Sequence, residues 1–123
     1  VGVFTFCSSL ESITLPPTLV EIGSGAFNHC NLEEVKFNEG LQKIENNAFN
    51  NCTSLKSVIL PSTLVEIGDY AFYDCRNLRA VTINDGLQKI GRNAFCSCSS
   101  LKSVTLTSTV TEIGISAFRY CRN

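Results

Sequence analysis

The apolar positions of this chain follow one pattern that recurs from end to end. A small residue, a Phe and a Cys three residues after it appear at Val3-Phe4…Cys7, Ala26-Phe27…Cys30, Ala48-Phe49…Cys52, Ala71-Phe72…Cys75, Ala94-Phe95…Cys98 and Ala117-Phe118…Cys121. Successive phenylalanines lie 23, 22, 23, 23 and 23 residues apart. The one missing residue falls at Cys30-Asn31-Leu32, where the next unit reads Cys52-Thr53-Ser54-Leu55. A period of this length is the signature of a repeat architecture, and it has to be settled before secondary structure is read.

Each unit opens with L-x-x-[IV]-x-hydrophobic, as in Leu10/Ile13/Leu15, Leu32/Val35/Phe37, Leu55/Val58/Leu60, Leu78/Val81/Ile83 and Leu101/Val104/Leu106. The alternation at its end, with β-branched residues, predicts a short strand. A sharp turn follows, either Pro-rich (Pro16-Pro17-Thr18, Pro61-Ser62-Thr63) or Asn-acid-Gly (Asn38-Glu39-Gly40, Asn84-Asp85-Gly86). Next comes L-x-x-I, at Leu19/Ile22, Leu41/Ile44, Leu64/Ile67 and Leu87/Ile90, with Val110/Ile113 the variant. Gly23, Gly68, Gly91 and Gly114 then suggest a second bend, and Glu45 is the departure in that column. The Ala-Phe-x-x-Cys corner is too short for a full helix, which leaves a tight turn or a single helical turn.

One unit carries roughly eight apolar side chains and cannot bury them by itself, so neighbouring units must share them. The predicted fold is a β-rich solenoid, a right-handed parallel coil of about five repeats. Equivalent residues of adjacent turns should lie ~4.8 Å apart, the spacing of paired strands. Phe4, Phe27, Phe49, Phe72, Phe95 and Phe118 should then form one interior spine. Six of the seven cysteines share one repeat position and should fill the space beside it as small apolar groups. Parallel Cβ vectors make bridges between rungs geometrically poor. Cys96 stands outside that column and reads as a partly exposed thiol.

A longer period overlies the first. Leu19-Val20-Glu21-Ile22, Leu64-Val65-Glu66-Ile67 and Val110-Thr111-Glu112-Ile113 alternate with Leu41-Gln42-Lys43-Ile44 and Leu87-Gln88-Lys89-Ile90. In the stack one column becomes Glu21, Lys43, Glu66, Lys89, Glu112, a ladder of alternating sign. Like charges stacked at strand spacing would repel, and alternation removes that penalty. The ladder reads either as a solvated face that tolerates stacking or as a docking stripe.

The outward positions of the first strand are Ser12/Thr14, Glu34/Lys36, Ser57/Ile59, Ala80/Thr82 and Ser103/Thr105. Such a strand face is often the binding surface of a solenoid. This one is small, neutral and rich in hydroxyls, without an aromatic anchor, so a ligand would be held by area and not by a pocket. The plainer reading is a surface that merely suits a β-strand. His29 is the lone histidine and reads as a turn residue. No nucleophile–base–acid set or metal-ligand cluster can be assembled from positions the repeat leaves unexplained, so neither catalysis nor a cofactor is expected. Asn51-Cys52-Thr53 is a glycosylation sequon, with its central residue expected inside the core.

The full pattern, L-x-x-[IV]-x-L-P-x-x-L-x-x-I-G-x-x-A-F-x-x-C, is nearly whole from Leu10 to Asn31 and from Leu55 to Asn77. It resembles the BspA-like leucine-rich repeats, and the resemblance covers essentially the whole chain. It implies a leucine-rich-repeat solenoid. It also implies surface exposure, outside the cell, and a role in adhesion or recognition of a protein or glycan partner.

Composition narrows the classes further. A hydrophobic content of 44% in 123 residues supports a continuous core in a single solenoid domain over 1–123. A net charge of −1 offers no field for nucleic acid. The apolar runs are far too short to insert in a bilayer. Neither terminus shows a recognisable cap, which suits an uncapped fragment of a longer array. Two functions remain in view: an interaction module, or a structural repeat whose copies self-associate end to end through open edges.

Overall fold

A computed structural model describes residues 7–122. Every unit contributes one three-residue and one two-residue strand. The longer strands are β1 (Ser12–Thr14), β3 (Glu34–Lys36), β5 (Ser57–Ile59), β7 (Ala80–Thr82) and β9 (Ser103–Thr105). The shorter ones are β2 (Glu21–Ile22), β4 (Lys43–Ile44), β6 (Glu66–Ile67), β8 (Lys89–Ile90) and β10 (Glu112–Ile113). They form two all-parallel sheets, ordered β1-β3-β5-β7-β9 and β2-β4-β6-β8-β10. Strand neighbours are therefore always successive turns of one coil, and the chain is a parallel β-solenoid.

The corners make a third flank with its own ladder. Phe27, Phe49, Phe72 and Phe95 each donate their backbone N–H to an Ala carbonyl of the next turn, at 2.8, 2.7, 2.8 and 2.8 Å. No helix forms among the described residues, and the corners are turns. The reason is local. Each corner holds two residues in the left-handed region: Gly25, Asn47, Tyr70, Asn93 and Ser116 in one column, His29, Asn51, Asp74, Ser97 and Tyr120 in the other. A left-handed residue cannot propagate a right-handed helix, so pairs such as Cys30 N–H to Phe27 C=O close single turns only.

The core is the shared interior. Phe27, Phe49, Phe72, Phe95 and Phe118 stack with ring centroids 5.2, 5.2, 5.1 and 5.4 Å apart and planes within 10° of parallel. Centroid separations above the backbone rise mean that the rings are offset, the arrangement their quadrupoles favour. Phe4 lies outside the described residues. Phe37, where other units have an aliphatic residue, packs its edge on Phe49 at 5.8 Å. Ile13, Val35, Val58, Val81 and Val104 point in from the first sheet, and Ile44, Ile67 and Ile90 from the second. Cys30, Cys52, Cys75 and Cys98 are wholly buried beside the ring column, and Cys7 and Cys121 are partly buried at its two ends.

Where the sequence suggested only a bend, the Gly column also serves close approach. A Cβ on Gly91 would sit 2.5 Å from the carbonyl carbon of Gly68, so a side chain there would displace backbone.

Candidate functional site

The outward residues of the first sheet fall into two columns. Ser12↔Glu34, Glu34↔Ser57, Ser57↔Ala80 and Ala80↔Ser103 are partners in the first. In the second, Thr14↔Lys36 pair, as do Ile59↔Thr82 and Thr82↔Thr105. All ten side chains are exposed. The structure thus brings the strand-face residues together on one surface, as the alternation implies.

That surface is not uniform. Between β3 and β5 the pairing narrows to Glu34↔Ser57, whereas β5–β7 and β7–β9 each pair over three residues. A hollow of about 310 Å³ opens there, lined by Glu34, Lys36, Phe37, Ser57, Ile59 and Pro61 among others. Ile59 stands at its rim, 68% exposed. A second depression of about 320 Å³ is continuous with the face and is lined by Glu11, Ser12, Glu33, Glu34, Lys56 and Ser57. The two depressions give relief to a face that the sequence describes only as small and rich in hydroxyls. The seam borders β3, the strand that directly follows the short Cys30-Asn31-Leu32 segment, and the irregular spacing was the signal available in the sequence.

The charged column of the second sheet is in register at every step: Glu21↔Lys43, Lys43↔Glu66, Glu66↔Lys89 and Lys89↔Glu112. Its ion pairs are less regular. Lys89 reaches Glu66 at 3.6 Å, but Lys43 turns to Glu45 at 2.8 Å. Glu45 also shares a hydrogen bond with Glu21. That bond, with partial desolvation, pushes Glu21 above the usual carboxylate range. The Lys43 ammonium holds Glu45 below that range. Glu45 was missed as a member of this group, although it is the one residue to break the Gly column.

Two further expectations meet the structure. Cys96, read as partly exposed, is only 3% accessible, its Sγ 3.7 Å from Ser97 Oγ. It is a short side chain in a column whose neighbours are the larger Tyr73 and Arg119, so exposure does not follow from leaving the cysteine ladder. His29 occupies a left-handed corner position with φ 60°, a turn residue. All seven thiols are free. Among the described residues no cluster of three or more His, Cys, Asp or Glu is arranged to hold a metal ion. No helix there is long and apolar enough to cross a membrane.

The family model of the BspA type leucine-rich repeat region matches residues 2–123 in six copies. The chain belongs to the BspA-type leucine-rich-repeat family. Among solved structures, the leucine-rich-repeat protein of T. pallidum (TpLRR) superposes with a TM-score of 0.88 at 36% identity, over 91% of this chain and 55% of its own. The pneumococcal vaccine antigen PcpA gives 0.83 at 32% identity, over 89% of this chain and 28% of its own. A leucine-rich repeat protein from Bacteroides ovatus gives 0.63 at 26% identity, over 89% and 34%. This BspA-type chain therefore spans about half of the T. pallidum structure and less than a third of PcpA. No curated protein sequence matches it.

Proposed function

We propose that this BspA-type solenoid is a non-catalytic recognition module that engages a protein or glycan partner, outside the cell, through the outward face of its first sheet. The observation that carries the reading is the seam between β3 and β5. A regular solenoid surface offers little to distinguish one stretch from another, and here a hollow with one projecting apolar side chain, Ile59, interrupts it. Interfaces draw most of their energy from a few residues that fill or flank such hollows. The surrounding Ser, Thr, Glu34 and Lys36 side chains supply the polar rim. The position outside the cell is supported by the likeness to PcpA, which is described as a vaccine antigen.

The test is a panel of extracellular-matrix proteins and glycans probed with the parent chain and three variants. Ile59→Glu and Ala80→Glu should lose a partner that Arg92→Glu, away from the face, keeps. Equal binding by all four would move the interface elsewhere. Sedimentation at several concentrations is run alongside. Growth of end-to-end species without partner binding would replace recognition by assembly.

A further inference from the structure

A second stacked column of charges runs beside the first sheet, one residue ahead of its strands. Glu33 N–H bonds to Glu11 C=O at 2.7 Å, Lys56 to Glu33 at 3.2 Å, Arg79 to Lys56 at 2.9 Å and Lys102 to Arg79 at 3.0 Å. These five residues are thus successive rungs of one ladder, and all five side chains are exposed. Their signs are sorted. Glu11 and Glu33 stand together, then Lys56, Arg79 and Lys102.

The column on the second sheet alternates sign at every rung, which removes like-charge repulsion between stacked neighbours. Beside the first sheet the pattern is the opposite. Three cations follow one another at ~4.8 Å per rung, an arrangement that costs repulsion in the free protein. Lys56 is relieved by Glu33, 2.8 Å away. Among the described residues no carboxylate lies within ion-pair distance of Arg79 or Lys102. A segregated row whose Arg79 and Lys102 have no carboxylate partner among the described residues is a surface that a ligand can supply with counter-charge.

We propose that Lys56, Arg79 and Lys102 bind a linear anionic glycan, carrying sulfate or carboxylate groups, laid along the solenoid axis. The row is straight and crosses the strands, so it matches a ligand with charges repeated along one line. Next to it stand Ser57 and Ser103, then Thr82 and Thr105, whose hydroxyls suit sugar oxygens, with the small Ala80 between them leaving the face flat. Glu11 and Glu33 mark the other end of the row and repel an anionic chain there, which sets where it lies. The proposal rests on the reading that this flank is the binding side, but it can fail while a protein partner still docks at Ile59.

The experiment titrates a heparin-type sulfated oligosaccharide, its desulfated and carboxyl-reduced counterpart, and a polyglutamate peptide of equal charge against the parent chain. Binding of the sulfated sugar, weakened by added salt and absent for the neutral one, is expected. Arg79→Glu/Lys102→Glu should weaken it roughly tenfold for each charge-assisted hydrogen bond removed. Arg92→Glu should leave it unchanged. Thermal melts check folding, and the Arg79→Gln/Lys102→Gln variant, which removes repulsion, should melt no lower than the parent while still losing the sugar. No binding at low salt would overturn the proposal, as would binding indifferent to the double variants. Equal or tighter binding of polyglutamate would assign the row to an acidic protein segment instead. Self-association abolished by the same variants, without sugar binding, would assign it to Glu11 and Glu33 of a second copy.

Discussion

The Cys75 thiol donates a hydrogen bond to the carbonyl oxygen of Phe49, 3.3 Å away in the preceding turn. The same relationship joins Cys52 to Phe27, Cys98 to Phe72 and Cys121 to Phe95, at 3.1, 3.2 and 3.1 Å. The thiol is therefore more than a filler of the right size. It bonds each corner to the corner below, and the Phe27, Phe49 and Phe95 carbonyls also accept one N–H from their own turn. Cys75→Ala should cost about 1–3 kcal/mol, from the missing bond and a small void. Urea unfolding measures it, and a parent-like midpoint would reduce the ladder to packing.

Burial pushes the Cys52 thiol up to about 12, from an ordinary value near 9. Burial also drives the Cys75 thiol well above its ordinary value. Between those two pH values for Cys52 the unfolded chain holds fewer protons than the folded one, so stability falls as pH rises from about 9 to about 12. Below pH 9 this contribution is constant. Unfolding free energies at a series of alkaline pH values check the sign. Alkylation at neutral pH should likewise modify Cys52, Cys75 and Cys98 only at the rate at which the native chain opens.

Phe72 is fully buried between Phe49 and Phe95. Phe72→Ala should cost about 3–5 kcal/mol, the range for an aromatic removed from a packed core. Phe118, partly buried with a ring neighbour on one side among the described residues, should cost less. Equal losses at both positions would contradict a stack whose support grows toward its middle.

How far the sequence could be read follows from what kind of information each feature needs. Spacing is enough to stack Phe27 on Phe49 or Glu66 on Lys89, because a repeat brings equal positions together. Backbone handedness is not. The left-handed sites fall on Tyr70, Asp74 and Ser97 as well as on Gly25, and side chains such as Tyr do not advertise a positive φ. Hence the open choice between a turn and a helical turn at the corners. Departures from the repeat were the other blind spot. Glu45 and the short Cys30-Asn31-Leu32 unit looked like drift, yet they mark the Glu21–Lys43–Glu45 group and precede the seam beside Ile59. The sorted row Glu11, Glu33, Lys56, Arg79, Lys102 lies one residue outside the strand pattern, where alternation says nothing.

Replacing both Lys43 and Lys89 by Glu makes the second-sheet column uniformly acidic and leaves Glu45 without its cation. The double variant should melt below the parent, with a gap that widens at low salt and narrows at high salt. Coincident melting curves at low ionic strength would remove the alternating column from the forces that stabilise stacking. Lys89→Glu should act through Glu66 and Glu112, whereas Lys43→Glu should also raise the Glu45 titration, which carboxylate NMR would follow.

Successive coils of this solenoid are bonded rung to rung around one shared interior. Native-state hydrogen exchange reads this directly at the backbone N–H groups of Phe49 and Phe72, which donate to Ala71 and Ala94 of the next turn. Their exchange should require unfolding of the stack and should slow in parallel with global stability. Exchange at rates near those of an unfolded chain, in a protein that is otherwise folded, would contradict rung-to-rung bonding.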